Sequence, residues 1–272
     1  MRNVSVVAGF CCLGLLFVCA SQGNAYEIQP VNQGGGIQGQ VFFAGTPPAP
    51  LVVEVDKGPE VCGKERQLVK VETQNGWLSG AVILVEGIQT GKPFPVQAFS
   101  GKLPGEGEFR YQGGERLGLQ VKTKGCNFGP FTGVVAVEDP VIFENQDSIK
   151  HTLHTFASMD SKGIMLRTIH NQDLHPMDSM ARTFEVDKLR GSRVVRITCN
   201  RHDFMQNWLY VVDHPYFAIS DQDGRFAIHQ IPPGRYTVLA WHPILGEQRQ
   251  DVHIASGGQV TLEFRFSRAQ SE

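Results

Sequence analysis

The chain has 272 residues, with 25 Lys and Arg against 27 Asp and Glu, and a formal net charge of −2. This length is enough for one large domain or two modest domains. The near balance of charge gives no electrostatic case for binding nucleic acid or anionic lipid. The 30 glycines and 15 prolines favour a chain of many turns over one of long helices.

Residues 1–25 have the composition of a secretory signal peptide. Arg2 is their only charged residue, residues 4–20 are mostly apolar, and small residues allow cleavage after Ala25. Cleavage would give a periplasmic or secreted protein with a net charge of −3, since only Arg2 is lost. An uncleaved membrane anchor is an alternative, because the apolar run approaches the length that spans a bilayer. A lipoprotein modified at Cys19 has less support.

Three cysteines remain after residues 1–25 are removed: Cys62, Cys126 and Cys199. An odd number of cysteines in an exported protein calls for an explanation. The simplest is a structural disulfide between Cys62 and Cys126, with Cys199 kept reduced as a metal thiolate. The alternative is a reactive or intermolecular thiol at Cys199.

The rest of the chain is predicted to be all-β, because short alternating apolar runs lie between turn residues. In chain order, these runs are residues 36–43, 80–85, 133–137, 141–145, 192–198 and 208–212. No long amphipathic helix is evident, although residues 156–182 are ambiguous.

A smaller β-module is predicted after residue 212. It begins with a hairpin over residues 216–228, which has Asp223-Gly224 at its turn. A second turn follows at residues 231–234, and strands are expected over residues 235–242 and 259–264. This module has no evident catalytic constellation.

Cys199, His202 and Met205 form the pattern C-x-x-H-x-x-M, the most informative feature of the chain. With 6 Cys, 9 His and 6 Met in the chain, about 0.004 chance matches are expected. A thiolate, an imidazole and a thioether are three of the four ligands of a blue-copper site. Two alternatives are a buried thiol with chance neighbours and a zinc site, although zinc rarely uses a thioether.

The fourth ligand is expected to be His151, which follows the strand predicted at residues 141–145. A β-sandwich can bring the end of that strand and the C-x-x-H-x-x-M loop together at one pole. His154 is the alternative ligand, and the two histidines are three residues apart, so a regular strand would turn them to opposite faces.

The segment 150–156, Lys-His-Thr-Leu-His-Thr-Phe, together with the later C-x-x-H-x-x-M loop, resembles the cupredoxins. The loop spacing is similar to that of the amicyanin type rather than the plastocyanin type. The resemblance implies a Greek-key β-sandwich that binds one copper ion through His151, Cys199, His202 and Met205. The chain departs from the family pattern at Thr152, where Asn is frequent, and at Phe204, where Trp is frequent.

A second resemblance covers the C-terminal module. Asp221-x-Asp223-Gly224-x-Phe226-x-Ile228 and the later Pro232-Pro233-Gly234 resemble the carboxypeptidase regulatory-like, transthyretin-type β-sandwich. The combination resembles exported proteins of the methylamine-utilisation type. The predicted domains are a signal peptide at residues 1–25, a copper domain at 26–212 and the regulatory-like sandwich at 213–267. Alternatively, residues 35–90 complete the second sandwich, with the copper domain inserted.

The resulting functional hypothesis is a one-electron carrier in the periplasm, with copper cycling between Cu(II) and Cu(I) and redox proteins as its unknown partners. No substrate pocket is implied, so the chain is not expected to be an enzyme. A copper chaperone or storage protein is an alternative, and a structural protein with a vestigial metal site is another. Soft ligands that could serve copper storage lie in residues 159–180, at Met159, Met165, His170, His175, Met177 and Met180.

Overall fold

The computed structural model describes residues 26–94, 98–103, 107–112, 118–137, 139–159 and 164–267. The predicted signal peptide, residues 1–25, lies outside the described residues. Almost all regular structure is β-strand, which confirms the predicted all-β class. Within the described ranges, neither helix is long or apolar enough to cross a membrane.

The elements follow one another along the chain in three groups. The first group is β1 (Glu27–Ile28), β2 (Gly35–Ala44), β3 (Leu51–Glu54), α1 (Pro59–Cys62), β4 (Glu65–Leu68), β5 (Thr73–Gln74), β6 (Trp77–Leu78), β7 (Val82–Glu86) and β8 (Thr90–Gly91). The second is β9 (Ala98–Leu103), β10 (Gly107–Gln112), β11 (Leu119–Thr123), β12 (Phe128–Gly129), β13 (Thr132–Ala136), β14 (Val141–Asn145), β15 (His151–Met159), β16 (Ile164–Leu174), β17 (Ser179–Arg182), α2 (Val186–Leu189), β18 (Val194–Cys199) and β19 (Gln206–Val212). The third is β20 (Phe217–Ile219), β21 (Arg225–Ile231), β22 (Gly234–His242), β23 (Gly246–Ile254) and β24 (Gln259–Ser267).

The second group, apart from β9 and β10, which form a separate two-stranded sheet, builds a sandwich that we call the central sandwich. One sheet has the strand order β12-β11-β14-β17, and the other has the order β13-β19-β18-β15-β16. Alternate residues of these strands point inward and build one apolar core, which also includes Cys62, Cys126 and Cys199. The segment from β3 to β4 packs on the same core through Val55.

A second sandwich, which we call the terminal sandwich, combines the third group with β2, β5, β6 and β7 of the first group. In one sheet β2 lies between β24 on one side and β21 on the other, and β6 and β5 continue from β2. The other sheet has the order β20-β7-β22-β23. Strands β2 and β7 therefore pair with strands of the third group, β20 to β24. In the sequence, the residues of the central sandwich lie between β7 and β20. Where the domain boundaries fall stays a prediction.

The two sandwiches pack face to face. A third apolar cluster joins β7 and β22 of the terminal sandwich to β13, β18 and β19 of the central sandwich. At its centre the rings of Tyr210 and Trp241 lie 5.2 Å apart. Strand β7 is buried on both faces, with Ile83 in the terminal core and Leu84 in this interface. Burial on both faces explains why its sequence is continuously apolar instead of alternating.

The hairpin predicted over residues 216–228 is wrong, although its turn is present. The Asp221 carboxylate accepts hydrogen bonds from the backbone N–H groups of Asp223 and Arg225, and this closes the turn. However, β20 pairs with β7 and β21 pairs with β2, so the turn connects the two sheets of the sandwich. The hairpin in this region is β22–β23, which the sequence reasoning missed.

Candidate metal centre

The two strands that carry the predicted ligands are neighbours in one sheet. His151 is the first residue of β15 and Cys199 is the last residue of β18. These strands are antiparallel, with Leu153 opposite Cys199, so the start of one lies beside the end of the other. After Cys199 the chain turns back: the His202 N–H donates to the Cys199 carbonyl and the Met205 N–H donates to the His202 carbonyl. We call residues 199–205 the ligand loop.

Three side-chain atoms converge at this pole. The Nδ1 atoms of His151 and His202 lie 3.2 Å apart, and the Cys199 Sγ lies 3.8 and 3.7 Å from them. The three side chains are almost entirely buried. A point equidistant from the three atoms lies about 2.1 Å from each, close to a metal–imidazole bond length. The spacing therefore fits a trigonal N₂S metal site.

The outer nitrogen of each imidazole is held by a hydrogen-bond acceptor. His151 Nε2 lies 2.9 Å from an Asp147 carboxylate oxygen, and His202 Nε2 lies 3.1 Å from the Lys57 carbonyl. Each Nε2 therefore carries a proton, and in the neutral ring each Nδ1 presents a lone pair. Two lone pairs and a thiol sulfur then face one another in a buried space, an arrangement that a soft cation satisfies.

Burial also keeps the two imidazoles in the form that binds metal. It lowers the pKa of His151, although the hydrogen bond that His151 donates to Asp147 acts in the opposite direction. The pKa of His202 is lowered too, by burial and then by the neighbouring His151. Both shifts favour neutral rings, and a metal ligand must be neutral imidazole.

Backbone hydrogen bonds fix the sulfur. The Thr152 N–H points to Cys199 Sγ at 3.4 Å, and the Asn200 N–H donates to the Thr152 carbonyl. Thr152 thus ties β15 to the ligand loop through its backbone, while its hydroxyl donates to Asp173 on β16. The departure from the family pattern at Thr152 therefore leaves the backbone link to the sulfur in place.

Met205 is fully buried at the end of the ligand loop. It belongs to the same apolar cluster as Cys199 and Phe204. The buried thioether therefore lies on the same short loop as the sulfur and one of the imidazoles. Its role as an axial ligand stays a prediction.

Cys62 and Cys126 are bonded to each other, with their Cα atoms 5.1 Å apart, and Cys199 is a free, buried cysteine. The disulfide lies beside the metal centre, since Cys62 Sγ is 3.7 Å from His202 Nε2. On its other side, the N–H of Cys126 donates to Asp147, the acceptor of His151. The disulfide therefore links the two segments that orient the imidazoles.

Comparisons with known proteins found similarities that cover parts of the chain. A family model described as polysaccharide lyase family 4, domain II, matches residues 193–262, and no curated protein matches. A purple cupredoxin from Nitrosopumilus maritimus is similar at 19% identity over 35% of this chain and 99% of that chain, with a TM-score of 0.28. Amicyanin from Paracoccus versutus is similar at 15% identity over 35% of this chain and 81% of that chain, with a TM-score of 0.28. A copper-containing nitrite reductase from Thermus scotoductus is similar at 18% identity over 38% of this chain and 24% of that chain, with a TM-score of 0.28.

His154, the alternative ligand, does not join the cluster. It points to the opposite face of β15, where its ring nitrogens lie 3.2 Å from Asn200 Oδ1 and 2.9 Å from Thr168 Oγ1. His151 and His154 thus face opposite sides, as expected for residues three apart in a strand.

The Met- and His-rich segment contributes one strand to each sheet of the central sandwich, since β16 pairs with β15 and β17 pairs with β14. Strands β16 and β17 span most of it, which settles the ambiguity over residues 156–182 in favour of β-structure, apart from residues 160 to 163, which lie outside the described residues. His170 contacts the Thr155 hydroxyl, Met177 is 74% exposed and Met180 is buried. Among the described residues of this segment, no group of three His, Cys, Asp or Glu side chains lies close enough together to hold a metal ion.

Two contributors to the site were not identified from the sequence. Asp147 lies four residues before His151, and a carboxylate at that spacing was the available signal. The second contributor is the Lys57 carbonyl, which left no signal because any residue can supply a backbone oxygen.

Replacing Asp147 by Asn is expected to weaken copper binding by roughly 10–100-fold. The carboxylate accepts from His151 and from the backbone N–H groups of Gly125 and Cys126, whereas an amide can turn its NH₂ group toward His151 and favour the wrong tautomer. Competition with a chromophoric copper chelator measures the affinity. Glu144→Gln is the matched control, because the Glu144 carboxylate contacts glutamine side chains and no imidazole. Equal affinities in the two variants would contradict the role of Asp147.

Proposed function

We propose that this chain is an exported type 1 copper protein that carries single electrons between partner proteins. The observation that carries the proposal is the buried triangle of two imidazole Nδ1 atoms and one thiolate sulfur, 3.2 to 3.8 Å apart. A His₂Cys set with a thioether on the same loop is the donor set of blue-copper electron-transfer sites.

The proposed ligands are His151, Cys199, His202 and Met205, for one copper ion per chain. When bound, copper supplies a one-electron couple between Cu(II) and Cu(I). The protein holds both imidazoles in the required tautomer through Asp147 and Lys57, and it keeps water from the sulfur by burial. Strands β15 and β18 fix the positions of the ligands, so little rearrangement would accompany a change of charge.

We also propose that residues 1–25 direct export to the periplasm, that the protein acts as a carrier rather than an enzyme, and that its partners are redox proteins. We propose that the terminal sandwich is a carboxypeptidase regulatory-like domain. This sandwich would support β13, β18 and β19 of the central sandwich through the interface that contains Tyr210 and Trp241.

The direct test is the visible spectrum and voltammetry of the copper-loaded protein. One copper per chain, an intense absorption band at about 600 nm and a reversible one-electron wave are expected from His₂Cys ligation. A protein that binds copper without this band would contradict type 1 ligation. Two or more tightly bound ions per chain would favour copper storage instead.

A further inference from the structure

The face of β15 that points away from the metal centre carries a partly exposed imidazole, that of His154. Its ring nitrogens contact Asn200 Oδ1 and Thr168 Oγ1. The amide of Asn200 is oriented by a contact of its own, since its Nδ2 donates to Asn171 Oδ1 at 2.9 Å. Asn200 therefore turns its oxygen toward His154, so the Nδ1 of the imidazole carries the proton. The Nε2 of His154 then presents a lone pair.

A thioether shares a neighbour with this lone pair. The Thr168 Oγ1 lies 2.9 Å from His154 Nε2 and 3.7 Å from Met165 Sδ. A threonine hydroxyl has one hydrogen, so it cannot satisfy the imidazole nitrogen and the sulfur together. A cation that binds both atoms would serve the two lone pairs at once.

The two atoms are within reach of a single metal ion. Because both contact the same oxygen, His154 Nε2 and Met165 Sδ lie at most about 6.6 Å apart. A metal ion that joins a nitrogen and a sulfur on opposite sides holds them about 4.3 Å apart. Met165 is 55% exposed, and its unbranched side chain turns easily, so a rotation at the surface closes the difference.

The chemistry of the two donors selects a soft, monovalent ion. Both donors are neutral, and a thioether favours Cu(I) over the harder divalent metals. The Phe156 ring lies 5.3 Å from the His154 ring, and the Arg196 guanidinium lies 5.8 Å from the centre of the Phe156 ring. A positive charge on the same face of the sheet repels a divalent ion more strongly than a monovalent one.

We infer that His154 and Met165 form a second metal site, which binds Cu(I) at the protein surface. This site lies on the opposite face of β15 from His151, so it does not depend on copper in the proposed centre. Thr168 and Met165 are exposed, and therefore the ion can exchange with the solution. With two protein ligands in place of four, the site is expected to bind copper more weakly than the centre and to lose it during gel filtration.

The test follows isotope-labelled methionine methyl groups by NMR in the copper-loaded, reduced protein. Further Cu(I) is added without oxygen, as its acetonitrile complex. The Met165 signal is expected to shift during this addition, whereas the signal of Met205, beside the centre, stays in place. Met177 is the internal control, because it is 74% exposed and open to any unspecific binding of Cu(I) to thioethers. Equal shifts of Met165 and Met177 would overturn the inference.

Substitutions then identify the ligands. His154→Gln and Met165→Leu are each expected to weaken binding of the added ion by at least about tenfold, the effect that even an outer partner of a metal ligand can have. Met177→Leu is the matched control and should keep the affinity. Unchanged binding in His154→Gln would show that the site is wrong. The visible band and the redox wave report on the centre alone, so their absence would refute the proposed function, while the Met165 signal still decides this site.

Discussion

Cys199→Ser is expected to abolish the intense visible band of the copper-loaded protein. The Cys199 sulfur is one corner of the donor triangle, and the band arises from charge transfer between a thiolate and copper. A serine hydroxyl at this position stays protonated at neutral pH and is a harder donor, so the affinity for copper should fall as well. Absorption at about 600 nm and the bound copper per chain are the two measurements.

Thr198→Val provides the control for this substitution. Thr198 precedes Cys199 on β18, but its hydroxyl points to the other face and donates to the His154 carbonyl. This variant is expected to keep the band, since the donor triangle is untouched. If the band survives in Cys199→Ser, the thiolate assignment is wrong, whatever metal the protein binds.

Removal of the disulfide, by Cys62→Ala with Cys126→Ala, is expected to lower the free energy of unfolding by about 4 kcal/mol. The bond joins residues 64 positions apart, so its loss frees a long loop in the unfolded chain. Both sulfurs also pack in the core of the central sandwich. Urea unfolding of the metal-free protein, followed by tryptophan fluorescence, gives the change.

Dithiothreitol separates the covalent link from other effects of this double substitution. Treatment of the native protein with dithiothreitol is expected to lower its unfolding midpoint nearly to that of the double variant. The variant itself should not respond, because Cys199 is then the one cysteine left among residues 26–267 that the structure describes. A native midpoint in the double variant would show that the disulfide does not stabilise the fold.

The sequence could predict those parts of the site whose residues lie close together along the chain. Cys199, His202 and Met205 lie on one short loop, so their spacing alone brings them near each other. His151 was proposed from its place after the strand predicted at residues 141–145 and from the resemblance, because the pairing of β15 with β18 is not written in the sequence near either residue. The contact between His202 and the Lys57 carbonyl was not predicted, since any residue can supply a backbone oxygen. Which of these residues bind copper stays a prediction.

The same holds for the fold: strands and turns could be predicted from neighbouring residues, whereas the pairing of distant strands could not. The runs that alternation and turn residues marked as strands all correspond to observed strands, although others, such as β3, β4 and β23, were not predicted. The Asp223-Gly224 turn predicted a reversal of the chain, but it could not specify that β20 and β21 enter different sheets. The β22–β23 hairpin was missed because its turn, residues 243–245, lacks the Asn-Gly or Asp-Gly pair that marks such turns.

The pairing of β2 with β24 has a consequence for how the protein is made. Gly36 lies beside Gln259 and Ala44 beside Ser267, so an early strand finds its parallel partner only when the last strand has been synthesised. Until then Ile37, Val41 and Phe43 lack part of their core, and such an uncovered strand is prone to aggregate. Nascent chains that stall before β24 are therefore expected to depend on chaperones or to be degraded.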